Sequence, residues 1–184
     1  MPANTLDIRK AGRDDIPAIR TLQERSLRVL GDGHYAPDEV ALFIARFGTM
    51  DFTIIEEQHF FLATDAGGAP VGTGGWSQRQ PGYQAGQGAA AAPGTATVRG
   101  VFVDPAATRM GIGSAIMRHV EADAREHGIR TLALTATLSG IALYRALGYR
   151  ERRRRAIELG GGLSFGCADM DKPVQGAADP WRHH

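Results

Sequence analysis

Apolar residues along the opening stretch change period from two to about 3.6, and the change sets the first elements. Leu6 and Ile8 alternate with Asp7 and Arg9, which predicts a strand over Thr5 to Lys10. Asp14-Asp15-Ile16-Pro17 then opens a helix, since acidic residues and proline both suit a first turn. Ile16, Ile19, Leu22, Leu27 and Leu30 fall on one face of it. Gly31-Asp32-Gly33 breaks the helix, His34-Tyr35-Ala36-Pro37 reads as a loop, and Asp38 is the expected cap of a second helix carrying Val40, Leu42, Phe43 and Phe47 inward. Phe60–Thr64 and Pro70–Trp76 read as strands joined by a glycine-containing turn.

From Ser77 to Gly94 the chain is Gln, Gly, Ala and Pro with almost nothing to bury, which predicts a mobile insertion: a lid over a cleft, or a tolerated surface loop. Thr95–Val103 resumes as a strand, and Gly100 inside it marks an expected bulge. A helix follows from Gly111 to about His127, stopped by Gly128; Leu132–Leu138 is the next buried strand, and Ser139 to Tyr149 a short helix with a glycine cap. Two final strands, Ile157–Leu159 and Leu163–Met170, flank Gly160-Gly161-Gly162.

Chemistry concentrates where the Val101-Phe102-Val103-Asp104-Pro105 strand turns into the helix at Gly111. The first four amides of a helix have no internal partner, and the dipole places partial positive charge there. Amides from Met110 through Gly111, Ile112 and Gly113 to Ser114 can therefore grip a pyrophosphate, with Arg109 adding a full charge. A tight strand-to-helix turn without a ligand uses the same residues.

Together with Ile141-Ala142-Leu143-Tyr144-Arg145-Ala146-Leu147-Gly148-Tyr149, this segment resembles the GNAT acetyltransferase superfamily. In that family a [Gln/Arg]-x-x-Gly-x-[Gly/Ala] loop wraps the coenzyme A pyrophosphate, and a later helix carries a tyrosine before a Leu-Gly-Tyr/Phe corner. Gly111, Gly113, Tyr144 and Leu147-Gly148-Tyr149 are in register, whereas the Gln/Arg position is Thr108, with the positive charge one residue on at Arg109. The element order β-α-α-β-β-β-α-β-α-β-β matches the family layout from Leu6 to about Lys172.

The resemblance implies an α/β (α+β) fold. It is an acyl-CoA N-acyltransferase sheet of about seven mostly antiparallel strands with a central, splayed parallel pair, flanked by about four helices. It further implies acetyl-CoA as co-substrate and a primary amine of a small molecule or peptide as acceptor. Tyr144 is the implied proton donor to the leaving thiolate. Val101, Phe102 and Val103 would present backbone to the pantetheine and thioester, and Thr137 and Ser139 would stand where relatives place an Asn. Tyr144 also suits a core aromatic beside Leu143 and Leu147. His34 and Tyr35 are candidates for substrate contact by resemblance, or a plain surface loop.

A chain of 184 residues is the length of one ordinary domain, expected over residues 1–172, with 78–94 as a flexible insertion and 173–184 as a loose tail. Its 21 basic and 20 acidic residues nearly cancel, so no global field draws it to nucleic acid or membrane. The arginines at 150 and 152–155 fit a solvated strand edge better than a phosphate site. A lone cysteine, Cys167, reads as a buried structural thiol, and the absence of a leader-like start or long apolar run leads to the expectation of a cytoplasmic protein. The six histidines show no metal-ligand spacing, so no metal is expected, and the His183-His184 pair is left out of the argument. A homodimer through the terminal strands is compatible with the pattern.

Acetyl transfer to an amine has a proton problem. Deprotonating a lysine-like amine at pH 7 costs about 4 to 5 kcal/mol, an α-amine only about 1. Many relatives supply a Glu on the strand before the cradle; here Thr97 and Arg99 stand in that strand, with no carboxylate from Thr95 to Val103. Glu56, Glu57, His59 and His34 remain possible bases, or water relays the proton. The alternative is a non-catalytic acyl-CoA sensor or interaction domain on the same fold. A dinucleotide-binding oxidoreductase ranks low, because Gly113-Ser114-Ala115-Ile116 lacks the third glycine.

Overall fold

The computed structural model describes residues 5–83 and 91–174. Seven strands form one sheet: β1 (Asp7–Lys10), β2 (Phe60–Thr64), β3 (Pro70–Ser77), β4 (Thr95–Val103), β5 (Thr131–Thr137), β6 (Arg150–Gly160) and β7 (Leu163–Pro173). Their spatial order is β1-β2-β3-β4-β5-β7-β6. Every neighbouring pair is antiparallel except β4 with β5. Four α-helices flank it: α1 (Ile16–Leu30), α2 (Pro37–Phe47), α3 (Ile112–Glu126) and α4 (Ile141–Ala146).

Helix α1 buries Ile19, Leu22 and Leu27 as the periodicity predicts, and also two polar residues, Gln23 and Ser26. Ala36, not Asp38, precedes α2: Pro37 opens the helix, Asp38 lies in its first turn, and Glu39 reaches back to accept from the Ala36 N–H at 3.2 Å. A short 3-10 helix, Phe52–Glu57, stands between α2 and β2, where the residue pattern carries no periodic signal.

Helix α3 packs on the sheet through Ile116, Met117 and Val120, all fully buried. It lies so close to β3 that a Cβ on Gly72 would stand 2.5 Å from Ile116 Cδ1. The arginine segment belongs to one long edge strand, β6, and its charges pair with β7: Arg152 with Asp171, and Arg153 and Arg155 with Asp169. Such exposed pairs add little stability each, but they charge an edge that would otherwise invite another strand. Strand β7 continues to Pro173, and Val174 is buried, its N–H bonded to Arg130 O; residues 175–184 of the expected tail lie outside the described residues. Of the expected 78–94 insertion, 84–90 likewise lie outside them.

The central pair decides what the sheet can do. Strands β4 and β5 pair only over Thr95–Thr97 against Thr131–Ala133 and then part. On the opposite edge, Thr73 pairs with Phe102 and Gly75 with Arg99, so two steps along β3 span three along β4. That bulge contains Gly100, at φ 62, the irregularity expected there. A buried network holds it: Thr73 Oγ1 donates to Gly100 O at 2.7 Å, Gln23 Nε2 donates to Thr73 Oγ1 at 3.2 Å, and Thr49 Oγ1 donates to Gln23 Oε1 at 2.6 Å.

Replacing Thr73 by Val keeps the shape but removes the hydroxyl that serves both Gly100 O and Gln23. Urea denaturation of Thr73→Val is expected to show a loss of about 1 to 3 kcal/mol; an unchanged midpoint would mean that the network does not hold the bulge.

Candidate active site

Where β4 and β5 part, the sheet opens into a cavity of about 790 Å³, within the usual size of a small-ligand site. One wall is the second half of β4, from Val98 to Val103, and the facing wall is Leu134 to Thr137 of β5. The cavity continues to the head of α3 at one side and to Phe43, Tyr83, Ile157 and Phe165 at the other.

At the head of α3 the chain turns through two left-handed residues, Arg109 at φ 64 and Gly111 at φ 73. Only Gly111 takes that conformation without cost. Ala115 is the first amide of α3 with a main-chain partner, Gly111 O at 3.0 Å. The amides ahead of it are the unpartnered donors of a helix start. Thr108 Oγ1 is turned back onto Pro105 O at 3.3 Å. Gly113 allows α4 to approach: a Cβ there would meet Leu143 Cδ2 at 3.0 Å.

Of the residues singled out from the sequence, Val101, Phe102, Val103, Thr108, Arg109, Gly111, Ile112, Gly113, Ser114, Thr137, Ser139 and Tyr144 all line this one cavity. Met110 does not; it is exposed on the outside of the turn. Thr137 and Ser139 face each other, their hydroxyls 3.2 Å apart. Tyr144 is 8% exposed, its ring edge-on to Tyr149. Its hydroxyl has no hydrogen-bond partner among the described residues.

Tyr35 has a structural task. Its hydroxyl accepts from Leu138 N–H at 2.8 Å and donates to Gly166 O at 2.6 Å, and its ring stacks on Phe165. Neither it nor His34 lines the cavity. Cys167 is buried, as expected, and also reaches the cavity wall.

No Asp, Glu or His lines the cavity, so no base stands on its described walls. Glu57 lies behind it, one carboxylate oxygen on Ser77 Oγ at 3.1 Å and the other buried without a partner. Two histidines without metal-ligand spacing in the sequence meet an aspartate elsewhere: ligand atoms of His59, Asp123 and His127 lie within 4.8 Å of one another. Asp123 Oδ2 there already accepts from Trp76 Nε1 at 2.8 Å and contacts His59 Nδ1 at 3.0 Å. The sequence pattern also passed over Gln23 and Tyr83. Gln23 is four residues from both Ile19 and Leu27 on the buried face, and Tyr83 is the one aromatic in the polar insertion.

The fold is that of the acyl-CoA N-acyltransferases, and comparison with solved structures agrees. A GCN5-related N-acetyltransferase from Rhodopseudomonas palustris superposes with a TM-score of 0.69 at 17% identity, covering 94% of this chain and 98% of its own. The PaiA N-acetyltransferase of Thermoplasma acidophilum, solved with coenzyme A, gives 0.65 at 16% identity over 92% and 99%. A GNAT acetyltransferase from Brucella melitensis, solved with acetyl-CoA, gives 0.58 at 19% identity over 95% and 91%. No curated protein sequence matches the chain. The Acetyltransferase (GNAT) family model matches residues 17–149, and the chain belongs to that family. Among the described residues no helix is long and apolar enough to cross a membrane.

All four tyrosines are held neutral by burial. It pushes Tyr35 up to about 12, and Tyr83, Tyr144 and Tyr149 also rise, Tyr149 further through Glu121. A phenol whose folded pKa exceeds its unfolded value of about 10 adds stability that is whole below pH 10 and lost as pH rises toward the folded pKa. Ultraviolet titration is therefore expected to show no tyrosinate in native protein at about pH 10, with ionisation and unfolding arriving together above it. Ionisation of one tyrosine near pH 10 in folded protein would contradict that burial.

Proposed function

We propose that the chain is an acetyl-CoA-dependent N-acetyltransferase that acts by direct attack of a primary amine on the thioester within one ternary complex. The observation that carries this reading is the single cavity joining the unpartnered amides at the head of α3, the parted strands β4 and β5, and Tyr144. Residues present fit the co-substrate: the α3 amides and Arg109 suit a diphosphate. Backbone released where β4 leaves β5 suits the amide groups of a pantetheine arm. When bound, acetyl-CoA supplies the activated acyl group.

Each residue then has a task set by its environment. Amides near Phe102 and Val103 donate to the thioester oxygen as charge develops on it. Tyr144 is neutral, desolvated and without an internal hydrogen bond, so its hydroxyl is free to donate to the departing sulfur, and the proton shed by the attacking amine balances the one the thiol takes up. Its raised pKa keeps the phenol protonated across neutral pH. Deprotonation of the amine has no carboxylate on the described cavity walls to rely on, which favours an acceptor of low pKa or a relay through water.

Thiol release from acetyl-CoA over a panel of amines tests the reading. Tyr144→Phe is expected to lower kcat by about 10²- to 10⁴-fold while calorimetric affinity for acetyl-CoA stays unchanged. Full activity in that variant would remove Tyr144 from the chemistry, and absence of acetyl-CoA binding by folded wild type would overturn the proposal.

A second expectation concerns pH. Between about pH 6 and 9 the rate should follow only the acceptor's own ionisation, and Glu57→Gln should leave the profile in place. Loss of an enzyme pKa in Glu57→Gln would instead identify Glu57 as the base.

A further inference from the structure

Arg99 stands out among the cavity's residues. It is 7% exposed, it lines the cavity, and it sits on β4 immediately before the Gly100 bulge. A guanidinium carries five N–H donors and stays charged at neutral pH. Its one hydrogen bond among the described residues runs from NH1 to the main-chain oxygen of Arg79, at 3.3 Å.

The nearby acids contact other arginines, and the second oxygen of Glu57 is buried without a partner. Asp51 Oδ2 and Glu57 Oε1 lie 3.8 Å and 3.7 Å from Arg79, and Asp169 Oδ2 is 2.8 Å from Arg155. No carboxylate among the described residues comes within salt-bridge distance of Arg99 itself. Burial lowers its pKa, the direction expected of a desolvated cation short of counter-charge, while Tyr83, Asp51 and Glu57 oppose that at longer range. A charge withdrawn from water without a close partner is costly. A group that enters the cavity can complete it.

We infer that Arg99 is the anion-binding residue of the acceptor site, and that the acceptor is an amine bearing a carboxylate and an apolar side group, chemically a hydrophobic amino acid. The apolar part follows from the same end of the cavity. Phe43 stacks on Phe165 at 4.3 Å between ring centres and lies 6.4 Å from Tyr83, and Ile157 closes the wall. Tyr83, Arg99 and Tyr144 all line this one cavity. A carboxylate on Arg99 holds a short molecule in the same cavity as the parted strands and Tyr144.

Pairing with Arg99 also changes the amine. In water the carboxylate of an amino acid stabilises its own ammonium group, and a guanidinium on that carboxylate cancels the stabilisation. The free amine becomes more accessible on a cavity wall that has no base. This inference rests on the acetyltransferase reading, and the experiment separates the two.

Phenylalanine, phenylalaninamide and phenethylamine serve as acceptors with acetyl-CoA, alongside calorimetry of N-acetylphenylalanine titrated into the protein–coenzyme A complex. Phenylalanine is expected to exceed both carboxylate-free analogues in kcat/KM by about 10- to 100-fold, the range of a charge-assisted hydrogen bond. Arg99→Met should raise the KM for phenylalanine by a similar factor, with Arg99→Lys recovering part of the loss. KM for acetyl-CoA and turnover of phenethylamine should stay as in wild type.

Equal use of the three acceptors, or a preference that survives in Arg99→Met, overturns the assignment and leaves the acetyltransferase reading intact. Failure of folded wild type to bind acetyl-CoA overturns both. Where coenzyme A binds but none of the three amines is acetylated, binding of N-acetylphenylalanine that is lost in Arg99→Met supports the assignment, and absence of binding overturns it. Should Arg99→Met not fold, the same ratios measured in Arg99→Lys and Arg99→Gln decide.

Discussion

Everything in this molecule depends on two parallel strands that stop pairing partway along. A β-ladder broken inside a domain leaves main-chain donors and acceptors without partners, a state that buried backbone rarely tolerates. Here the break is imposed from the far edge of β4. An extra residue at Gly100 turns the strand, and Thr73 and Gln23 fix the turned carbonyl from the interior side. Cβ atoms are excluded at Gly100, where one would stand 2.6 Å from Met50 Sδ, so the fold commits a glycine and a buried polar network to keep the sheet open.

What the opening supplies is a cleft with three different surfaces. At the head of α3 lie unpaired amides and small residues, suited to an anion that need not be buried. Along the parted strands lies main chain, suited to amides. At the remaining end lie the rings of Phe43, Tyr83 and Phe165, and the buried Arg99 lines the same cavity. The rigid support for all three is the packing of α3 on β3 and β4, where glycines at 72 and 74 let Ile116 settle against the sheet. Placement of polar groups then follows from elements that cannot shift independently.

Much of this was legible in the residues. Thr95–Val103 reads correctly as a strand because its apolar run is bounded by glycine and Asp-Pro, and Gly100 is legible as an irregularity because glycine inside a strand often marks a bulge. The turn into α3 is legible because two glycines at close spacing serve main-chain approach. Less was legible where long-range context decides. Asp38 resembles a cap, but Pro37 occupies the first helical position and moves the boundary back to Ala36. Met110 shares the loop with Arg109 and Gly111, and only the left-handed turns on either side of it show that its side chain leaves the cavity. Arg99 announced itself in sequence only as a missing carboxylate; its burial and want of a counter-ion exist only once β3, β4 and the Phe52–Glu57 segment are assembled.

Backbone amide hydrogen exchange, followed by added coenzyme A, tests the central claim most directly. If main-chain donors at the cleft grip the carrier, exchange slows at Gly111 to Ser114 and at Val101 to Val103, while the β1–β2 pair on the far edge of the sheet keeps its rates. Unchanged exchange at those amides in folded protein saturated with coenzyme A would contradict the account.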